Sequence, residues 1–121
     1  MSKRILVVED QEDSRRILRD LLTSADYEIM EAVNGEEALT AAATQRLDLI
    51  LMDIQLPIID GYEATRRIKA DPTLMHVPVI AVTSYALSGD KAKARAAGCD
   101  DFVPKPYSPR QLLAKIRQLL R

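Results

Sequence analysis

Two acids in succession, Glu9 and Asp10, follow the apolar run "ILVV", and a third, Asp53, closes the run "LILMD". A strand that is apolar at every position is covered on both faces, so a carboxylate at its end stands where the chain leaves a sheet. Three carboxylates gathered there at ~5 Å would repel one another by roughly 3 kcal/mol per pair at an effective dielectric of about 20. Such a cluster needs a cation. Neither histidine nor cysteine stands near these acids in the sequence, and an oxygen-only set suits a hard ion. Mg²⁺, which takes one or two carboxylates and leaves its other positions to water and phosphate, is the natural choice. Two further groups, the Thr83 hydroxyl and the Lys105 ammonium, also follow strand-like runs. A metal and a lysine spread the charge of phosphoryl oxygens, a hydroxyl donates to one of them, and an aspartate can serve as nucleophile. On this reading Asp53 is the phosphate acceptor, with Thr83 and Lys105 binding the transferred group.

These residues lie far apart in the chain, so the fold must gather them. Five short apolar or β-branched runs alternate with longer segments of helical period, the mark of βαβ units and a parallel sheet. Strands are expected at residues 5–8, 27–33, 49–53 and 77–84 and within "DFVPKP", the second of them an edge strand by its polar and apolar alternation. The first helix is expected at 12–24 with Ile17, Leu18, Leu21 and Leu22 inward, and the second at 36–44 after Asn34 and Gly35. A third, at 61–70, has Asp60 as N-cap and ends at Asp71-Pro72. The fourth, at 88–97, is closed by Gly98 as a left-handed cap. Ser108 and Pro109 open the fifth, with Leu112, Leu113, Ile116, Leu119 and Leu120 inward. With strand order 2-1-3-4-5, right-handed crossovers put helices 1 and 5 on one face and 2, 3 and 4 on the other. Strands 1 and 3 are then neighbours at the topological switch point, where folds of this class bind ligands. The expected class is α/β, a flavodoxin-like doubly wound (βα)5 unit with a five-stranded parallel sheet.

Composition narrows the function classes. The chain has 121 residues, enough for one domain over residues 1–121, with a real core and no need of disulfides. A net charge of −1 gives no electrostatic reason to expect nucleic acid as a partner. No apolar stretch approaches the roughly 20 residues that span a bilayer. The single cysteine, Cys99, forms no internal disulfide, and the first residues do not read as a secretory signal, so the expected location is cytoplasmic. A flavin-phosphate carrier would want an uncharged Gly/Ser/Thr-rich loop after strand 1, where "EDQED" stands. An aspartyl phosphatase would want an acid two residues past its nucleophile, where Gln55 stands.

The stretches "LVVED", "LILMDIQLPIIDGYE", "VIAVTSYA" and "DDFVPKP" together resemble the receiver domain of bacterial two-component response regulators, over the whole chain and most nearly the stand-alone receivers of the DivK type. The resemblance implies Mg²⁺-dependent transfer of a phosphoryl group to Asp53 from a sensor histidine kinase or a histidine phosphotransfer protein. By position it implies that Glu9, Asp10, Asp53 and the backbone carbonyl of Gln55 hold the metal. Thr83 and Lys105 would bind the phosphoryl oxygens, and Thr83 and Phe102 would be the switch pair. Glu9 departs from the aspartate found in many members, and its longer arm is expected to reach the ion through water. Gln55 and Tyr85 would line the approach of hydrolytic water, and the Lys105-Pro106 bond would be cis.

The chain is thus expected to act as a phosphorylation switch rather than an enzyme, its output a downstream protein target met by the face of helix 4, strand 5 and helix 5. Tyr107, Arg110, Lys115 and Arg117 are the exposed side chains expected on that face. Pro57 should stiffen the loop after Asp53, and Gly61 should permit its turn. The alternative is a receiver-like interaction module that works without phosphorylation. For Cys99 the plain reading is a small residue packed near Gly98, and for His76 an exposed loop residue.

Overall fold

In the computed structural model, which describes residues 2–83 and 90–120, successive residues of the first strand serve two different cores. Strand β1 (Arg4–Val8) sends Leu6 and Val8 to one face of the sheet and Ile5 and Val7 to the other. That is the period-two alternation of a pleated strand. Strand β3 (Leu49–Asp53) does the same, with Ile50 and Met52 on the first face and Leu49 and Leu51 on the second. Residues Ile5–Val8 and Leu49–Met52 can therefore be apolar at every position. Strands β2 (Glu28–Ala32), β4 (Val79–Thr83) and β5 (Asp101–Pro104) complete one parallel sheet of order β2-β1-β3-β4-β5.

Helices α1 (Glu12–Ser24) and α5 (Pro109–Leu119) cover one face, burying Leu18, Leu22, Leu112 and Ile116 against Ile5, Val7, Leu49 and Leu51. Helices α2 (Gly35–Thr44) and α3 (Gly61–Ala70) cover the other with Ala38, Ala42, Ala64 and Ile68. Helix α4 (Asp90–Ala97) adds Ala94, packed on Ala81 and Ile54. This is the doubly wound α/β architecture read from the sequence, with β1 and β3 adjacent at the point where the strand order reverses.

The caps follow the side chains expected to make them. Asp60 accepts from the Glu63 N–H at 2.9 Å, Ser108 accepts from Gln111, and Gly98 takes φ 104° just past α4. Asn34 accepts from the Glu37 N–H at 2.8 Å, which starts α2 at Gly35, one residue before the expected position. Strand β4 starts at Val79 and not at 77, because the Val77 N–H is taken by the Leu74 carbonyl in the preceding turn. The segment 84–89, with the expected start of helix 4, lies outside the described residues.

One expected core residue is not in the core. Ile17 is 61% exposed while its neighbour Leu18 is 3% exposed. Leu18 and Leu22, four residues apart, form the buried stripe of α1, and Ile17 lies one position, about 100°, off that stripe. Among the described residues no helix is long and apolar enough to cross a membrane.

Candidate functional site

Parallel strands bring their last residues to a single edge. Glu9 follows β1 and its N–H donates to the Ala32 carbonyl of β2 at 3.0 Å, so the strand pairing runs on one residue past β1. Asp53 is the last residue of β3 and pairs in register with Val82, one residue before Thr83. The Lys105 N–H donates to the Thr83 carbonyl at 2.7 Å, fixing the end of β5 beside the end of β4. Sheet pairing alone therefore sets Glu9, Asp53, Thr83 and Lys105 along one rim.

The side chains then converge. Carboxylate oxygens of Glu9, Asp10 and Asp53 all lie within 4.8 Å of one another. Glu9 and Asp53 are buried, at 1% and 5% exposure, and Asp10 is the more open of the three. The Lys105 ammonium reaches between the two buried acids, with Nζ 2.6 Å from Glu9 Oε1 and 3.2 Å from Asp53 Oδ2. Burial opposes the charge on Lys105, but its hydrogen bond to Glu9 and the charges of Asp53 and Glu9 outweigh it, so the ammonium is held above its ordinary value of 10.5. Backbone amides take the remaining oxygens: Gln11 N–H donates to Glu9 Oε2 at 3.1 Å and Gln55 N–H to Asp53 Oδ1 at 2.9 Å. Among the described residues, no hydrogen bond or ion pair falls on the Asp10 carboxylate, and the three acids outnumber the one ammonium. An all-oxygen cluster with surplus negative charge and one open carboxylate has the donor chemistry of a Mg²⁺ site.

Thr83 is fully buried, and its Oγ1 accepts a hydrogen bond from Gln55 Nε2 at 2.6 Å. The resemblance assigns Gln55 a backbone carbonyl toward the metal and a place on the water path; the contact of its amide with Thr83 has no signal in the sequence. No spacing rule links positions 55 and 83, which meet only because β3 and β4 are neighbours. Phe102, in register with Ala81, is half-buried with Ile54, Ala94, Tyr62 and Cys99. A cavity of about 50 Å³ adjoins it, lined in part by Ala94 and Cys99. The Lys105-Pro106 bond is cis. Tyr85 lies outside the described residues.

The loop after Asp53 differs from its expected mechanics. Its left-handed residue is Ile58, at φ 71°, which is 75% exposed. Gly61 is required for a different reason: a Cβ there would lie 2.3 Å from the Asp53 carbonyl oxygen and 2.8 Å from Ile54 Cα. The helix α3 start is packed directly onto the backbone that carries Asp53.

Two residues expected to be exposed on the output face are half-buried. Tyr107 packs against the α1/α5 core, and Lys115 pairs with Asp101 Oδ1 at 3.0 Å across α5 and β5. Arg110 and Arg117 are exposed as expected, and so is His76.

A doubly wound parallel sheet with an acid cluster at its switch point defines the class of open α/β domains that bind their ligands at that edge. Comparison with known proteins makes the class specific. A sequence model of the family described as "Response regulator receiver domain" matches residues 5–117. The polar-differentiation response regulator DivK of Brucella anthropi is 43% identical over 120 residues, covering 99% of this chain and 98% of that protein. The crystal structure of the receiver domain of a Pseudomonas aeruginosa sensor histidine kinase, with a magnesium ion coordinated in its active site cleft, superposes with a TM-score of 0.92. It is 36% identical, and the match covers 99% of this chain and 98% of that one. The co-crystal structure of the Saccharomyces cerevisiae histidine phosphotransfer signaling protein Ypd1 with the receiver domain of Ssk1 contains a chain 30% identical, TM-score 0.90. That match covers 98% of this chain and 88% of the other. The chain belongs to the response regulator receiver family of two-component systems.

Proposed function

We propose that this chain, one receiver domain over residues 1–121, accepts a phosphoryl group on Asp53 in a Mg²⁺-dependent reaction. The donor is a phosphohistidine on a sensor histidine kinase or a histidine phosphotransfer protein. The observation that carries the reading is the Lys105 ammonium set against both Asp53 and Glu9, with the Asp10 carboxylate beside them. An Asp53 carboxylate oxygen attacks phosphorus, the O–P bond forms as the N–P bond of the phosphohistidine breaks, and the electron pair leaves with the imidazole nitrogen. The Gln55 N–H on Asp53 Oδ1 keeps the nucleophile aimed. Lys105 exchanges part of its contact with Asp53 for a phosphoryl oxygen, and the Thr83 hydroxyl donates to another. Glu9, Asp10, Asp53 and the Gln55 carbonyl would hold Mg²⁺, which supplies positive charge against the phosphoryl oxygens.

The same transfer is the switch. Thr83 drawn to the phosphoryl group gives up its contact with Gln55, and Phe102 turns into the space beside Ala81 and Ala94. The face of α4, β5 and α5 shifts its population toward a form that a downstream protein binds. DivK relatives are response regulators, and Ypd1 is a phosphotransfer protein crystallised with a receiver; both agree with a partner of this kind. The test is incubation with acetyl phosphate and Mg²⁺. A mass increase of one phosphoryl group, labile to hydroxylamine and absent without Mg²⁺, supports the reading, and an unchanged mass overturns it.

A further inference from the structure

Asp10, the acid of the site that has no side-chain partner among the described residues, is aimed by its backbone, and that backbone is held from outside the pocket. The peptide joining Glu9 to Asp10 exposes one carbonyl, and Arg15 of α1 donates to it from Nη1 at 2.9 Å. The same guanidinium donates from Nε to Glu31 Oε1 of β2 at 3.2 Å, and the other oxygen of Glu31 is taken by Arg19 Nη1 at 2.9 Å. Arg15 is largely covered, with 15% of its side chain exposed. One flat cation thus ties three elements together: α1, the edge strand β2 and the turn that follows β1. Glu9 itself is held on every polar atom, its N–H by Ala32, its carboxylate by Gln11 and Lys105, and its carbonyl by Arg15. The only soft step between this anchored residue and the Asp10 carboxylate is Asp10's own rotation.

We infer that Arg15 is a positioning residue for the metal site, setting the direction of Asp10 through the Glu9 carbonyl, with Glu31 holding the guanidinium in place. The inference rests on the Mg²⁺ reading given above. Arg15 touches neither ion nor substrate in this role. It works as the outer partners of metal ligands do, and removal of such a partner costs roughly 10- to 100-fold in metal affinity. A lysine cannot replace it, because a point charge on a flexible stem does not span a carbonyl and a carboxylate in the fork geometry of a guanidinium.

The sign of the effect separates this role from plain electrostatics. Arg15 is a cation beside a cation site, so removing its charge alone would tighten Mg²⁺ binding. Positioning predicts the opposite. Mg²⁺ affinity is measured by calorimetry on the full chain and on Arg15→Met, Arg15→Lys and Arg19→Met, with amide spectra to report folding. Arg19→Met is the control, since it removes an equal charge from the same Glu31 and does not reach Glu9. Expected are Kd values raised roughly tenfold or more in Arg15→Met and several-fold in Arg15→Lys, with Arg19→Met unchanged or slightly tighter. Acetyl phosphate labelling should need more Mg²⁺ in the Arg15 variants yet reach the same rate at saturating Mg²⁺. Unchanged or tighter binding in a folded Arg15→Met or Arg15→Lys chain overturns the inference. Failure of the unaltered chain to bind Mg²⁺ overturns the functional reading and this inference with it.

Discussion

At the scale of single residues, Asp53, the proposed acceptor, is held from behind as firmly as from in front. Lys105 and the Gln55 N–H fix the two oxygens of Asp53, while Gly61 lets the start of α3 press on the Asp53 carbonyl. A methyl group at position 61 has no room, and the atoms it meets are backbone. Gly61→Ala should therefore cost about 1–3 kcal/mol in denaturant unfolding and slow acetyl phosphate labelling by displacing Asp53. Wild-type stability in that variant would contradict the close approach. Cys99 offers a second check. Burial pushes its thiol up to about 11 from 9.0, against the opposing hydrogen bond to Thr65. At pH 8 the thiolate fraction, and the alkylation rate with it, should be roughly a hundredfold below that of the unfolded chain. Because the unfolded thiol ionises first, stability should fall as pH rises from about 9 to about 11, and Cys99→Ala should remove that fall.

At the scale of elements, the central strands were readable because both faces of β1 and β3 are covered, leaving no polar residue until the rim. Helix starts were readable where a side chain supplies the cap, as at Asp60 and Ser108. The sequence misled at Ile17, where a run of two apolar residues fits a helical period while only one of them can face the sheet. Ile50→Ala, in the fully buried middle of β3, should cost roughly 2–5 kcal/mol, whereas Ile17→Ser should stay within about 0.5 kcal/mol. Paired denaturation curves check both, and a large loss at Ile17 would place it in the core after all. The left-handed Ile58 carries no warning in its residue type, since β-branched residues avoid positive φ. Likewise the Gln55 to Thr83 and Arg15 to Glu9 contacts join elements whose relative placement no local pattern encodes.

At the scale of the molecule, the fold places at one rim a cluster of acids that the chain could not otherwise hold together. Repulsion among Glu9, Asp10 and Asp53 is offset in part by Lys105, and a bound divalent ion should offset the rest. Mg²⁺ at a hundredfold excess over its Kd should stabilise the chain by about 2.7 kcal/mol, raising Tm by about 10 °C for a domain of this size. Asp10→Asn should lose most of that shift. An equal shift in Asp10→Asn would move the ion away from this cluster. What the sequence announced was the set of acids, Thr83 and Lys105 at the ends of apolar runs. What it withheld was how each is braced, because bracing depends on neighbours in space.

The most direct measurement is the location of the phosphoryl group. After labelling with acetyl phosphate and Mg²⁺, borohydride reduces an aspartyl phosphate to homoserine, and peptide sequencing then finds the altered residue. Homoserine is expected at position 53 and at no other, and none in Asp53→Asn. Homoserine at position 10, or labelling that persists undiminished in Asp53→Asn, would contradict Asp53 as the acceptor.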